Sequence, residues 1–243
     1  MDSAAYKTPR YFKETSGILY SYLFVLPLFL LYEVLIRVTQ PGEEYIIRIS
    51  VDIWFKTVFH ALGFNAISAT FIIAFIIGAI ILFKKRAQIR QIKVRYFAWM
   101  IAECTLYAIA LSALIMILLG QIIPAITASP LQEISKLQLF ALSLGAGLYE
   151  ELFFRVILVS LLFWIFNKIF TKQFYSFVTA VTLAAVIFSG VHYIGEFGDS
   201  WALNSFLFRF LFGLGLNLIY VKRGFGCAAW THAIYDIVVV INL

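Results

Sequence analysis

The sequence predicts an all-α fold: a polytopic membrane helix bundle of about seven transmembrane helices with one interfacial amphipathic helix. Three observations predict it. The chain is 63% hydrophobic, and 25 of its 243 residues are Phe. Only 13% of residues are charged, about half the share found in soluble domains, so lipid has to be the solvent for much of the apolar surface. The apolar residues also fall in runs near the roughly 20 that cross a bilayer core. One integral membrane domain over 1–243 is expected. Its first part, 1–136, holds the N-terminal spans and a basic cytoplasmic loop; its catalytic half is 137–243.

The first span covers about 17–38, with Pro27 as a kink. Residues 1–16 are polar and the apolar run after them is too long for a signal peptide. Between 41 and 66, Glu43, Glu44, Arg48, Asp52 and Lys56 alternate with Ile, Val, Trp and Phe. That mixture fits a helix lying in the interface, not one crossing it. Spans two and three cover about 67–83 and 97–120, and Pro124 and Pro130 mark the loop that follows. Span four, about 137–166, is the longest and is free to tilt or project. Spans five, six and seven cover about 175–194, 202–221 and 226–243.

Basic residues set the expected orientation. Lys7, Arg10 and Lys13 precede span one, and Lys84, Lys85, Arg86, Arg90, Lys93 and Arg95 separate spans two and three. Lys168 and Lys172 follow span four, and Lys222 and Arg223 follow span six. In a seven-span plan these four groups share one side. The other side carries Glu43, Glu44, Asp52, Glu133, Glu196 and Asp199. The positive-inside rule then puts the N-terminus in the cytoplasm and the C-terminus outside. The net charge of +6 is thus accounted for by topology, and no nucleic-acid partner is expected. Cys104 and Cys227 lie in or beside apolar runs and read as packing residues. The Phe and Ile usage and the seven-span plan fit a prokaryotic plasma membrane.

The chemistry lies in polar residues placed where none is cheap. An ionised side chain at the bilayer centre costs about 3 kcal/mol or more on insertion scales. Glu150, Glu151 and Arg155 form E-E-x-x-x-R inside span four. Glu151 and Arg155, four apart, share a helix face, while Glu150 points about 100° away and stays available as a general base. His192 ends F-S-G-V-H, with Phe188 one turn back as a packing or substrate-side wall. His232 and Asp236 share a face of span seven in H-A-I-Y-D. Straight spans would hold Glu150 near mid-membrane, His192 near the outer end of span five, and His232 a few turns from the cytoplasmic end of span seven. Bringing them together needs broken backbone around a wet cavity, for which Gly190, Gly195, Gly224 and Gly226 are candidates. Glu33, Glu103 and Arg209 are further polar residues within spans, with a pair between Arg209 and one of those carboxylates expected. Asn217 and Tyr235 are expected to hydrogen-bond between helices.

E-E-x-x-x-R, F-x-x-x-H and H-x-x-x-[ND], in this order on three apolar spans, resemble the CAAX-processing and bacteriocin-processing (Abi/CPBP) family of glutamate-dependent intramembrane proteases. The resemblance covers about 140–240. It implies Glu150 as the base that activates water, His192 as the residue that helps hold that water, and His232 and Asp236 as oxyanion stabilisers. Glu151 and Arg155 would position the helix, and Phe188 would shape the pocket. Several relatives carry Asn at the last position; Asp236 would either donate as the acid or orient His232. Members of the family cut prenylated C-terminal CAAX tails, bacteriocin leaders or membrane-anchored sorting tails. A membrane-anchored or C-terminal-tail protein within the bilayer is therefore the expected substrate, and no cofactor is expected.

Other readings use the same residues. A zinc-dependent version of the protease would take Glu150, His192 and His232 as ligands, although H-E-x-x-H is absent and no two histidines share a turn. A proton relay would also use intramembrane Glu and His, but no internal repeat accompanies them. A non-catalytic immunity or scaffold protein would carry a broken motif, and every core position here is intact.

Overall fold

The computed structural model describes residues 10–41, 47–120, 134–195 and 198–241, all of them helical or connecting. The expectations placed on Lys7, Glu43, Glu44, Pro124, Pro130, Glu133 and Glu196, and on residues 242–243, lie outside these residues. The helices are α1 (Arg10–Thr15), α2 (Ile18–Val38), α3 (Ser50–Ala61), α4 (Ala66–Lys84), α5 (Arg86–Ile89) and α6 (Arg95–Leu119). After them come α7 (Lys136–Gly145), α8 (Ser160–Phe166), α9 (Gln173–Val191), α10 (Leu203–Arg223) and α11 (Phe225–Ile241). Between α7 and α8 the helix continues through two π-helical stretches, π1 (Ala146–Glu150) and π2 (Leu152–Val159).

Five of these helices are long and apolar enough to cross a membrane: α2, α4, α6, α9 and α10. They mark a multi-pass integral membrane protein. Five of the seven expected spans are these long helices, and the last corresponds to α11, an apolar helix of 17 residues. Span four is the α7–α8 rod, whose regular helix is interrupted by wide turns. α2 runs through Pro27 as one helix.

Side-chain oxygens of Asn65 and Ser135 cap α4 and α7, accepting from Ser68 N at 3.1 Å and Gln138 N at 3.2 Å, each satisfying a first-turn donor. Gly224, at φ +84°, turns the chain sharply from α10 into α11, a conformation a side chain would strain.

α11 is the central element, touching α2, α6, α7, α10 and π1. Leu28, Tyr32, Ile36, Leu144, Phe154 and Ala229 form the largest buried apolar cluster around it. Asn217 of α10 donates to Val181 O of α9 at 3.0 Å, as expected. Tyr235 instead joins α10 through ring contacts with Phe208 and Phe212, at 5.8 and 4.5 Å between centroids. Cys104 and Cys227 are buried free thiols. By contrast α4 is largely bare, with Ile72, Phe75, Ile76 and Phe83 each at least half exposed. An apolar environment has to meet that face.

α3 inverts the usual amphipathic arrangement: Asp52 is fully buried while Ile53, Trp54 and Val58 face out. The inward stripe Arg48, Asp52, Lys56 meets Glu33 of α2. Arg48 Nη1 lies 2.9 Å from Asp52 and 3.2 Å from Glu33, and Lys56 Nζ lies 3.1 Å from Glu33 and closely against Asp52. Two cations thus balance two carboxylates. The network extends to Tyr32, donating to Asp52 at 2.8 Å, and Tyr149, donating to Glu33 at 3.0 Å.

A second polar network closes the opposite end of α2. Arg223 pairs with Glu103 at 2.5 Å and donates to Thr15 Oγ1 at 2.7 Å and Phe12 O at 3.1 Å. Lys93 pairs with Glu14 at 3.0 Å, and its backbone N–H donates to the Tyr20 hydroxyl at 2.8 Å. Three of the four basic groups therefore meet at one end of the bundle. Hydrogen bonds from Arg10 and Lys93 hold the Glu14 carboxyl below its ordinary range.

Candidate active site

Glu150 ends the wide turn of π1, and Glu151 follows it, just before π2. In an α-helix neighbouring side chains diverge by 100°; an i→i+5 turn reduces that angle, and such insertions often occur at functional sites. Glu150 and Glu151 consequently both reach the same imidazole. His232 Nδ1 lies 2.7 Å from Glu151 Oε1, and His232 Nε2 lies 3.9 Å from Glu150 Oε2 and 3.5 Å from Asp236 Oδ2.

Gly147 makes the approach possible. A Cβ there would stand 2.7 Å from Ala233 Cβ and N and would also run into Ala229 O. The π1 turn and α11 are in backbone contact, which brings span four and span seven to the same depth without a break in α11. Of the proposed breaks, Gly195 and Gly224 do turn the chain at positive φ. Gly190 lies within α9, and Gly226 opens α11 against the backbone of Ser21.

Each ring nitrogen has a distinct environment. The carboxylate of Glu151 accepts from His232 Nδ1–H and also pairs with Arg155 Nη1 at 2.8 Å, the expected i, i+4 partner. Glu151 and Arg155 are almost completely buried. Arg155 lies 4.5 Å over the Phe188 ring and donates to Gly213 O at 3.5 Å. His232 Nε2 faces the other way, toward Glu150 and Asp236, whose side chains keep 13% and 28% of their exposure. Those separations exceed a good hydrogen bond.

His192 caps α9, its Nδ1 bonded to the Phe188 carbonyl at 2.7 Å. A carbonyl only accepts, so Nδ1 carries the proton and Nε2 of the neutral ring is left as an acceptor. Phe188 joins the two histidines: its ring lies 5.1 Å from His192 and 5.9 Å from His232, edge to face. Phe212 closes the other side of His232 at 5.7 Å.

Of the residues expected from sequence, the structure brings Glu150, Glu151, Arg155, His232, Asp236 and Phe188 into one cluster, with His192 beside it across Phe188. The expected partner of Arg209 is corrected: Glu33 and Glu103 belong to the networks above, and Arg209 pairs with Asp199. Glu33 and Glu103 lie beside cations carried by other segments, and those take them first. Sequence reasoning missed the bond from His232 to Glu151, the second wall from Phe212, and the tie from Tyr149 to the Glu33 network. The four-residue spacing of Arg48, Asp52 and Lys56 was a legible sign of one charged face.

Among the described residues no group of three or more His, Cys, Asp or Glu stands as a metal-holding cluster. Phe188 lies between the two imidazoles, and the Nδ1 atom of each is already bonded.

No curated protein and no solved structure matches the chain. Residues 132–238 match the model of the Rce1-like family, type II CAAX prenyl endopeptidase Rce1-like. That stretch runs from just before α7 into α11 and contains every residue of the cluster around His232. Residues 132–238 therefore form an Rce1-like type II CAAX prenyl endopeptidase domain, the domain of a family of proteases.

Proposed function

We propose that the chain is an intramembrane endopeptidase that hydrolyses a peptide bond near the C-terminus of a prenylated, membrane-anchored protein, with Glu150 as the base. The observation that carries this reading is the asymmetry around His232. Glu151 and Arg155 occupy its Nδ1 side, while Glu150 and Asp236 stand off its Nε2 side at 3.9 and 3.5 Å. One carboxylate is used for structure, and the other is left for chemistry.

In the proposed reaction Glu150 takes a proton from a water held by His192 Nε2. The hydroxide attacks the scissile carbonyl, and the C=O electron pair moves onto oxygen. His232, oriented through Nδ1 by Glu151, donates from Nε2 to that oxyanion, and protonated Asp236 assists. Each such donor is worth about 3 kcal/mol in known oxyanion holes. The C–N bond then breaks, and the proton on Glu150 passes to the leaving amine. Phe188 and Phe212 keep bulk water from the imidazole, which strengthens each of these interactions. The basic cluster of Arg223, Lys93 and Arg10 faces the cytoplasm in this reading.

Detergent-purified wild type and Glu150→Ala are compared on a tagged, S-farnesylated substrate, with a chelator in a parallel reaction. Loss of a general base typically removes about 10²–10⁴ in rate. Cleavage that persists in Glu150→Ala would sink the assignment. Cleavage that is lost with chelator and restored by zinc would replace it with the metal reading.

A further inference from the structure

Arg209 takes no part in the mechanism above, yet it is built into the site. It lies one turn before Phe212 on α10, and the Phe212 ring contacts His232. Its guanidinium stands 5.3 Å over the Tyr193 ring, next to His192. Asp199 pairs with Nη2, and the Asp199 backbone N–H donates to His192 O at 2.9 Å. The turn that carries His192 thus also aims Arg209. The side chain keeps 25% of its exposure, but Nη1 is enclosed and has no hydrogen-bond acceptor. A buried charged donor without an acceptor is costly and calls for an explanation.

We propose that Arg209 receives the C-terminal carboxylate of the substrate, so that the enzyme measures the distance from the scissile bond to the chain end. This rests on the endopeptidase reading. A CAAX tail cut three residues from its end would release a tripeptide that ends in a free carboxylate. Three extended residues span at most about 10–11 Å, and Arg209 begins one turn beyond the ring that touches His232. A carboxylate in a low-dielectric site has to be paired. The planar guanidinium is suited to it, with Asp199 on one edge and Nη1 on the other. A lipid phosphate offers the same anionic oxygens, so the test separates the two sources.

The test uses two S-farnesyl peptides with identical sequence, one ending in a free acid and one in an amide. Both are cleaved in phospholipid-free detergent by wild type, Arg209→Gln and Arg209→Lys. Amidation is expected to lower wild-type kcat/KM about 30-fold, mainly through KM, as loss of a charge-assisted hydrogen bond does. In Arg209→Gln the penalty should fall below about threefold, with Arg209→Lys between them, since a point charge replaces part of the fork. A purely structural Arg209 would slow both peptides equally in the variant and keep the amide penalty, which would overturn the proposal. An equal penalty together with Arg209-dependent inhibition by added phosphatidylglycerol would assign the site to a headgroup and overturn it too. Cleavage by Glu150→Gln tests the base separately from this ratio. If wild type cleaves neither peptide, binding of labelled acid and amide to wild type and Arg209→Gln decides; equal affinities reject the carboxylate site.

Discussion

Replacing Gly147 by Ala places one methyl between the turn that carries Glu150 and the helix that carries His232. The new Cβ would sit 2.7 Å from Ala233 Cβ and N. Ordinary carbon contacts lie at about 3.5–4.0 Å, so the two backbones must part by about 1 Å. Neither side can yield by a rotamer change, because the obstacles are α11 backbone and an alanine. Overpacking of this kind typically costs about 1–3 kcal/mol. Catalysis should suffer more than stability: the separation falls between Glu150 and His232, and a 1 Å misplacement costs on the order of 100-fold. The assay is kcat/KM on a farnesylated peptide together with thermal unfolding in detergent. Gly190→Ala is the control, since that glycine is helical and a Cβ there meets nothing within 4 Å. Adding Ala233→Gly to Gly147→Ala removes one of the obstructing atoms and should recover part of the rate. Wild-type kcat/KM for Gly147→Ala, with wild-type stability, would refute the view that close contact of π1 and α11 assembles the site.

Glu151→Gln leaves Arg155 buried without its counter-charge and should destabilise the protein by about 3–5 kcal/mol; Glu151→Gln with Arg155→Met should regain stability but not rate, because His232 stays unoriented, as thermal unfolding and kcat would show. Asp236→Asn keeps a side-chain donor and should reduce kcat/KM less than tenfold, whereas Asp236→Leu should lose more than 100-fold. Equal loss in both would point to the carboxylate's charge instead of a hydrogen bond. Tyr149→Phe removes the bond to Glu33 and should lower stability by about 1–2 kcal/mol; no change in unfolding would mean the Glu33 network holds α3 without Tyr149.

The apolar spans and the polar residues within them were legible in the chain because their signals are local. Apolar runs of span length report their solvent wherever they pack. A glutamate or histidine inside such a run is costly whatever its neighbours, which makes Glu150, Glu151, His192, His232 and Asp236 visible one at a time. The i, i+4 pair of Glu151 with Arg155 follows from helix geometry alone. Partner choice across helices is another matter. Arg209 went to Asp199, Glu33 to Arg48 and Lys56, and Glu103 to Arg223, according to which helix ends meet. Nothing in the local pattern marks the wide turns of π1 and π2, because hydrophobic periodicity does not register a shift from i→i+4 to i→i+5 bonding. Those turns, and the glycine-to-backbone contact at 147, bring to one depth residues that straight spans would hold apart. Residue type set which groups had to be satisfied within the membrane; the packing of α11 against the α7–α8 rod decided which of them face each other, since side-chain reach is only a few ångströms and helix position controls it.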